Sequence, residues 1–151
     1  MRAAPPTPAD RARARAVRGT TRVVSGVAFL LGLVGVLNTS LDGLGADSAE
    51  NLLVFLVHPI TAIVWLGIGL VGIAMAIDPE RAQRFLEVVG CLLVAWALLA
   101  LAVGDAPTQA LARDAELVAL HLVGGIVSLV AARAPLPAGL VRVLDRPAED
   151  A

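Results

Sequence analysis

The chain has 151 residues, of which 58% are apolar, and twelve basic side chains nearly balance thirteen acidic ones. A mean hydropathy of +0.81 is typical of an integral membrane protein, and the length suits one small domain. The near-neutral charge indicates no nucleic-acid partner, and a single cysteine, Cys91, excludes an internal disulfide. Every basic residue is arginine, which suggests a GC-rich bacterial genome.

Residues 1–19 form an Arg/Pro-rich segment. Its prolines and closely spaced arginines predict a disordered cytoplasmic tail lying against anionic head groups, with a helix from about Asp10 as an alternative within it. A basic stretch before an apolar one also fits a signal peptide, but the following sequence NTSLDG lacks the small-residue cleavage pattern. We therefore favour a tail.

Two apolar segments follow. The first, residues 23–37, is short for a membrane span, so residues 20–22 and 38–41 are expected to complete it. The second, residues 52–77, has 26 residues without Asp, Glu, Lys or Arg. At about 1.5 Å per residue a helix of this length spans about 39 Å, against about 30 Å of bilayer hydrocarbon. We predict a transmembrane helix there, preceded by an acidic loop.

Two further spans are predicted over residues 85–103 and 117–132. Asp78 and Pro79 end the second span, because proline disfavours helix at the residue before it and suits the first position of the next helix. Residues 134–151 are expected to be a Pro-rich cytoplasmic tail. The expected fold class is therefore all-α, an integral membrane four-helix bundle over residues 20–133.

The arginines predict the orientation of this bundle. Eleven of the twelve lie in the N-terminal tail, between the second and third spans, and in the C-terminal tail, while the two other loops hold six acids and only Arg113. By the positive-inside rule both termini are cytoplasmic, which predicts a multi-pass protein of the cell inner (plasma) membrane. The order of spans and loops also resembles two tandem hairpins.

His58 and His121 are the two histidines, and both lie inside predicted spans near the outer surface. Ionisable groups within a membrane are candidates for function, so haem binding, metal binding or proton relay is one hypothesis for this pair. A metal would need further ligands, and only Asp114 and Glu116 are near in sequence. We favour structural histidines satisfied by a carbonyl, Thr61 or water, and predict no cofactor, no metal and no catalytic residue.

Small residues one helical turn apart recur in the spans. Such stripes let helix backbones approach closely in lipid. They predict helix packing through Gly32, Gly72, Ala76, Gly124 and Ser128, with further small residues at Ala28, Cys91 and Ala95.

Four other side chains within the spans have structural interpretations. Ser25 and Ser128 stand alone in apolar runs, and each is expected to donate to the carbonyl four residues back. Trp65 and Trp96 lie near mid-span and are predicted to be packing anchors.

Pro59 lies early in the second predicted span. It removes one backbone N–H, and a kink there would free the carbonyl of Phe55. Broken helices occur in transporter sites, although a proline so near a helix end is more often a tolerated bend.

Three stretches resemble the actinobacterial family called domain of unknown function 4383. These are residues 26–37, residues 68–76, and residues 120–125 with the sequence LHLVGG. The resemblance covers about residues 22–133 and implies a four-helix membrane protein without a known activity. It carries over His121, whereas Trp65 stands where the family usually has a histidine, four residues before Gly69.

We expect no enzyme. The preferred function is a non-enzymatic scaffold or modulator of a membrane complex or the cell envelope, in contact with the lipid bilayer and with other membrane proteins or itself. The alternative is an oligomeric small transporter or channel component, although permeation needs more polar groups along one face than these spans offer. The third is a haem- or quinone-binding redox subunit, which would be coloured.

Overall fold

The computed structural model describes residues 7–38, 50–52, 55–57, 59–102 and 115–133, with the backbone alone for the two shortest stretches. Its elements in chain order are α1 (Pro8–Asn38), β1 (Glu50–Leu52), β2 (Phe55–Val57), α2 (Pro59–Met75), α3 (Pro79–Ala102) and α4 (Ala115–Arg133). The expectations for His58, for both polar loops and for the tail over residues 134–151 lie outside the described residues.

Helix α1 begins earlier than the first predicted span. Instead of a disordered tail up to residue 19, residues 8–19 are helical, as in the alternative that placed a helix from about Asp10. Thr7 and Asp10 explain the start, because the Thr7 N–H donates to the Asp10 carboxylate at 2.9 Å and the Asp10 N–H donates to Thr7 Oγ1 at 3.2 Å. This reciprocal capping satisfies donors that the first turn of a helix leaves unpaired.

The second predicted span is wrong at its beginning. Residues 50–57 contain the antiparallel strand pair β1 and β2, in which Glu50 lies opposite Val57 and Leu52 lies opposite Phe55. Helix α2 starts only at Pro59, because the proline ring would clash with the carbonyl four residues earlier if the helix continued backwards. Pro59 therefore occupies the first helical position, and the kink expected there is absent from α2.

A short turn joins α2 to α3, and the prediction that Pro79 opens the next helix is confirmed. Asp78 Oδ1 accepts from the N–H of Glu80 at 2.9 Å and from that of Arg81 at 3.0 Å, so it caps the start of α3. The Arg81 N–H, followed by that of Glu80 and the nearby positive charges, lowers the pKa of the Asp78 carboxyl below its usual value.

The four helices form two antiparallel pairs, α1 with α2 and α3 with α4, which matches the two tandem hairpins of the sequence pattern. Glycine permits the close approach within each pair. A Cβ atom at Gly69 would lie 2.5 Å from Phe29 Cα on α1, and one at Gly125 would lie 2.9 Å from the Gly90 carbonyl oxygen on α3. Real Cβ atoms essentially never approach other atoms so closely, so both helix contacts require glycine, which has no Cβ atom.

The two pairs contact each other less extensively than the helices within a pair do. Hydrogen bonds join them at the end of the bundle where α1 begins and α4 ends. Thr21 Oγ1 on α1 donates to the Val17 carbonyl at 2.9 Å and lies 3.3 Å from the Ala82 carbonyl of α3. Arg13 Nη2 donates to the Ala132 carbonyl of α4 at 2.8 Å. The start of α1, the start of α3 and the end of α4 therefore meet at one end.

Helices α1, α3 and α4 are long and apolar enough to cross a membrane, and α2 is a shorter apolar helix of 17 residues. At about 1.5 Å per residue α2 is about 26 Å long, near the lower limit for a bilayer span. The outward faces of all four helices carry large exposed apolar side chains, including Val23, Leu70, Val88 and Val130. Such faces suit lipid rather than water, and together with the helix lengths they indicate a membrane protein.

Candidate functional site

The interior of the bundle contains one aromatic pair with polar atoms, Trp65 of α2 and His121 of α4, among the residues that the structure describes. Both side chains are 5% exposed. Each lies six residues beyond the first residue of its helix, Pro59 or Ala115, and so about 9 Å along the axis at 1.5 Å per residue. The two helices start at the same end of the bundle, and the equal spacing brings the two rings to the same depth.

Hydrogen bonds fix the ionisation and tautomer of His121. The Trp65 indole Nε1–H, which can only donate, lies 3.4 Å from His121 Nε2. Nε2 must therefore accept, and the ring proton is on Nδ1, which donates to the Leu117 carbonyl at 2.7 Å. The ring centroids are 5.7 Å apart at an interplanar angle of 36°. A neutral imidazole thus uses both nitrogens within the protein.

This arrangement bears on the haem and metal hypothesis. A metal ligand must present a free imidazole lone pair, whereas the Nε2 lone pair of His121 points to the Trp65 indole. Among the described residues, no group of three or more His, Cys, Asp or Glu side chains gathers to hold an ion. His121 could bind a metal only after the Trp65 side chain had moved away.

Two clefts flank the aromatic pair, one on each side, between the two helix pairs. The first cleft, of about 210 Å³, lies between α1 and α4 and is lined by residues such as Val27, Leu93 and Val123. The second, of about 160 Å³, lies between α2 and α3 and includes Trp96. Trp65 and His121 line both clefts, so the hydrogen-bonded pair forms the wall between them.

The other residues predicted for helix packing occupy different environments. Gly32, Gly72, Ala76 and Ser128 are buried, and Gly124 is half-buried. A Cβ atom at Gly72 would meet Phe85 and Ser25, each at 2.5 Å, whereas one at Gly124 would meet only Leu93 Cδ1 at an ordinary 3.6 Å. The close contact on α4 is made by the neighbouring Gly125, which the small-residue spacing did not single out.

Two predictions about serine are confirmed, and one about small residues differs from the structure. Ser25 donates to the Thr21 carbonyl, and Ser128 donates to the Gly124 carbonyl at 2.7 Å, each four residues back. Cys91 and Ala95, by contrast, lie on the exposed face of α3 rather than at a helix contact.

The Trp65–His121 pair was missed because the sequence offered His58 as the partner for His121. A signal did exist in the family resemblance, since Trp65 occupies the position where that family usually carries a histidine. A residue at that position faces His121 across the bundle in this fold. His58 itself lies outside the described residues.

Fold and interior together indicate a helical membrane protein in which two helical hairpins pack around an aromatic pair. The model of the family named domain of unknown function 4383 matches residues 18–134. The chain belongs to this family. No curated protein and no solved structure matches the chain.

Proposed function

We propose that the protein is a multi-pass protein of the cell inner membrane that acts without catalysis, as a scaffold or modulator of a membrane complex or of the envelope. One observation carries the proposal. Every buried side-chain N or O atom in the described residues has a hydrogen-bond partner within the protein, and the surface around them is apolar. We therefore expect no catalytic reaction in the interior of the bundle or on its outward helix faces. The apolar outward faces instead favour lateral contact with lipid and with other helices.

Both termini are proposed to be cytoplasmic. The described arginines lie in the first half of α1, at the start of α3 and at the end of α4, and the contacts of Arg13 and Thr21 bring these three segments to one end. The positive-inside rule assigns that end to the cytoplasm. Reporter fusions at Ala46 and Ala110 are expected to read outside, and fusions at Arg81 and the C-terminus inside. A cytoplasmic reading at Ala46 would contradict the proposal.

The scaffold role can be tested by site-specific photo-crosslinking in the membranes of the native host. A photoreactive residue at Val88, 67% exposed on α3, is expected to form a reproducible adduct with a partner or a second copy. The same residue at Leu86, 0% exposed and two positions away, serves as the matched control and is expected to give only internal products. Equal adduct patterns at both positions would refute lateral association through this face.

The transporter alternative makes a different prediction. Its path would pass the Trp65–His121 wall, so ion or solute flux in proteoliposomes would have to change when Trp65 is replaced by Phe. Flux above that of empty vesicles, altered by this substitution and not by Val88→Ala on an exposed face of α3 that lines neither cleft, would replace the scaffold proposal.

A further inference from the structure

The cleft between α1 and α4 has the features of a lipid site. It runs along α1 from Val23 to Leu31, eight residues or about 12 Å at 1.5 Å per residue, and encloses about 210 Å³. Its walls are aliphatic except at the end marked by Leu31 and Leu120, where Trp65 and His121 close it. An aliphatic trough of this shape suits a hydrocarbon chain.

The cleft opens sideways towards the surroundings of the bundle. Val23 and Val27 on the α1 side are 65% and 46% exposed, and Val123 and Val127 on the α4 side are 60% and 48% exposed. In a bilayer these mouth residues would face acyl chains directly. A chain could therefore enter from the membrane without any helix moving.

A cation lies beyond the other end of the cleft. Arg13, Thr20, Val24, Val27 and Leu31 follow one another at spacings of seven, four, three and four, so they lie on one face of α1. Arg13 is held over α4 because its Nη2 donates to the Ala132 carbonyl at 2.8 Å. A guanidinium has five N–H donors, so donors remain for an anion at the same place.

We propose that the α1–α4 cleft binds an anionic glycerophospholipid, with one acyl chain between the two helices and the phosphate at Arg13. Two observations together support this assignment: the cleft is apolar, and a cation lies beyond its cytoplasmic end. Basic groups between helices on the cytoplasmic side of a membrane bind anionic head groups. The inference rests on the membrane insertion and orientation proposed above. It adds the chemical class of a bound partner to them.

Brominated lipids test the inference directly, because bromine quenches tryptophan fluorescence only at short range. The chain has two tryptophans, so Trp96→Phe leaves Trp65 in the cleft wall as the only reporter. This variant is placed in phosphatidylcholine vesicles that contain a small fraction of either chain-brominated phosphatidylglycerol or chain-brominated phosphatidylcholine. Brominated phosphatidylglycerol is expected to quench Trp65 at a concentration about fivefold lower than brominated phosphatidylcholine does. A factor of about five corresponds to the roughly 1 kcal/mol that one basic residue contributes to binding an anionic head group.

Two pairs of matched variants locate the effect, each made in the Trp96→Phe background. Arg13→Gln is expected to abolish the head-group preference, whereas Arg22→Gln, on an exposed face of α1 away from the cleft, is expected to preserve it. Gly124→Leu fills the cleft and is expected to reduce quenching by both lipids. Gly67 does not line the cleft, and a Cβ atom there meets nothing within 4 Å. Gly67→Leu is therefore expected to leave the quenching by both lipids unchanged.

The complementary variant Trp65→Phe keeps Trp96, 38% exposed on α3, as the reporter of insertion. Quenching of Trp96 by both lipids shows insertion, and its absence would point to failure of the proposed membrane insertion rather than of the lipid site. With insertion shown, equal quenching of Trp65 by the two lipids, or a preference that survives Arg13→Gln, overturns the inference. If Gly124→Leu does not fold, native mass spectrometry can compare how much phosphatidylglycerol and phosphatidylcholine the Arg13→Gln and Arg22→Gln variants retain. A preference for phosphatidylglycerol that is lost in Arg13→Gln and kept in Arg22→Gln supports the inference, and a preference kept in both overturns it.

Discussion

Adjacent glycines on α4 offer a sharp test of the packing, because Gly124 and Gly125 differ in what a methyl group would touch. At Gly125 a Cβ atom would lie 2.7 Å from Val94 Cγ2, 2.9 Å from the Gly90 carbonyl oxygen and 3.0 Å from the Val94 nitrogen. Two of these three atoms are backbone, so α3 and α4 must separate. At Gly124 the nearest atom is Leu93 Cδ1 at 3.6 Å, an ordinary contact.

The expected magnitudes follow from two opposing contributions. Replacing glycine by alanine inside a helix stabilises by about 1 kcal/mol, and overpacking a contact costs about 1–3 kcal/mol. Gly124→Ala meets only an ordinary contact and should therefore stabilise by about 1 kcal/mol. For Gly125→Ala the overpacking cost offsets or exceeds the gain, so its net effect is expected to range from about neutral to about 2 kcal/mol destabilising.

Thermal unfolding in a mild detergent, followed by helical circular dichroism, measures the difference between the two variants. Gly125→Ala is expected to unfold at a lower temperature than Gly124→Ala. Equal unfolding temperatures, or a lower one for Gly124→Ala, would refute the packing argument, because helix propensity alone treats the two positions alike.

Three further predictions concern polar groups. Trp65→Phe leaves Nε2 of His121 without its donor and should destabilise by about 1–3 kcal/mol in the same assay, whereas Trp96→Phe at an exposed position should cost less. The lowered pKa of Asp78 means that its capping stabilises fully above the usual carboxyl pKa and is lost as the pH falls through the lowered value; Asp78→Asn should flatten this acid-side loss of stability, and an unchanged pH profile would contradict it. Protein purified from the native host should show no Soret absorbance, and a band lost in both His58→Ala and His121→Ala would overturn the structural interpretation of the histidines.

Much of the fold could be predicted because long apolar runs leave few alternatives. Helix α4 agrees with its predicted span to within two residues at each end, and α3 ends one residue before its predicted span does. Helix α3 begins six residues before the predicted span, at Pro79, the residue that was expected to open it. Helix α1 differs at its start because its capping depends on the specific pair Thr7 and Asp10, and because Arg13 gains a partner on α4 that is 119 residues away. Such a distant contact leaves no local trace.

The beginning of α2 could not be predicted from hydropathy. Residues 52–57 are as apolar as those that follow, and a period-free apolar run does not distinguish strand from helix. A proline inside such a run fits either a bend within a helix or the first residue of one, and Pro59 is the first residue of α2. Trp65 and His121 lie at the same depth, since each is six residues beyond the first residue of its helix.

The clefts result from where the chain places its small and large side chains. Gly32, Gly69, Gly90 and Gly125 all serve contacts within a helix pair, so α1 meets α2 and α3 meets α4 backbone to backbone. Between the pairs, large side chains such as Trp65, Phe85 and Leu86 contribute to the contacts, together with the small residues Gly72, Ala82 and Ala132. Arg13 and Thr21 join the two pairs at one end of the bundle. A bundle with glycine on every interface would close both clefts, so the spaces beside Trp65 and His121 are a property of this residue pattern rather than of four-helix packing in general.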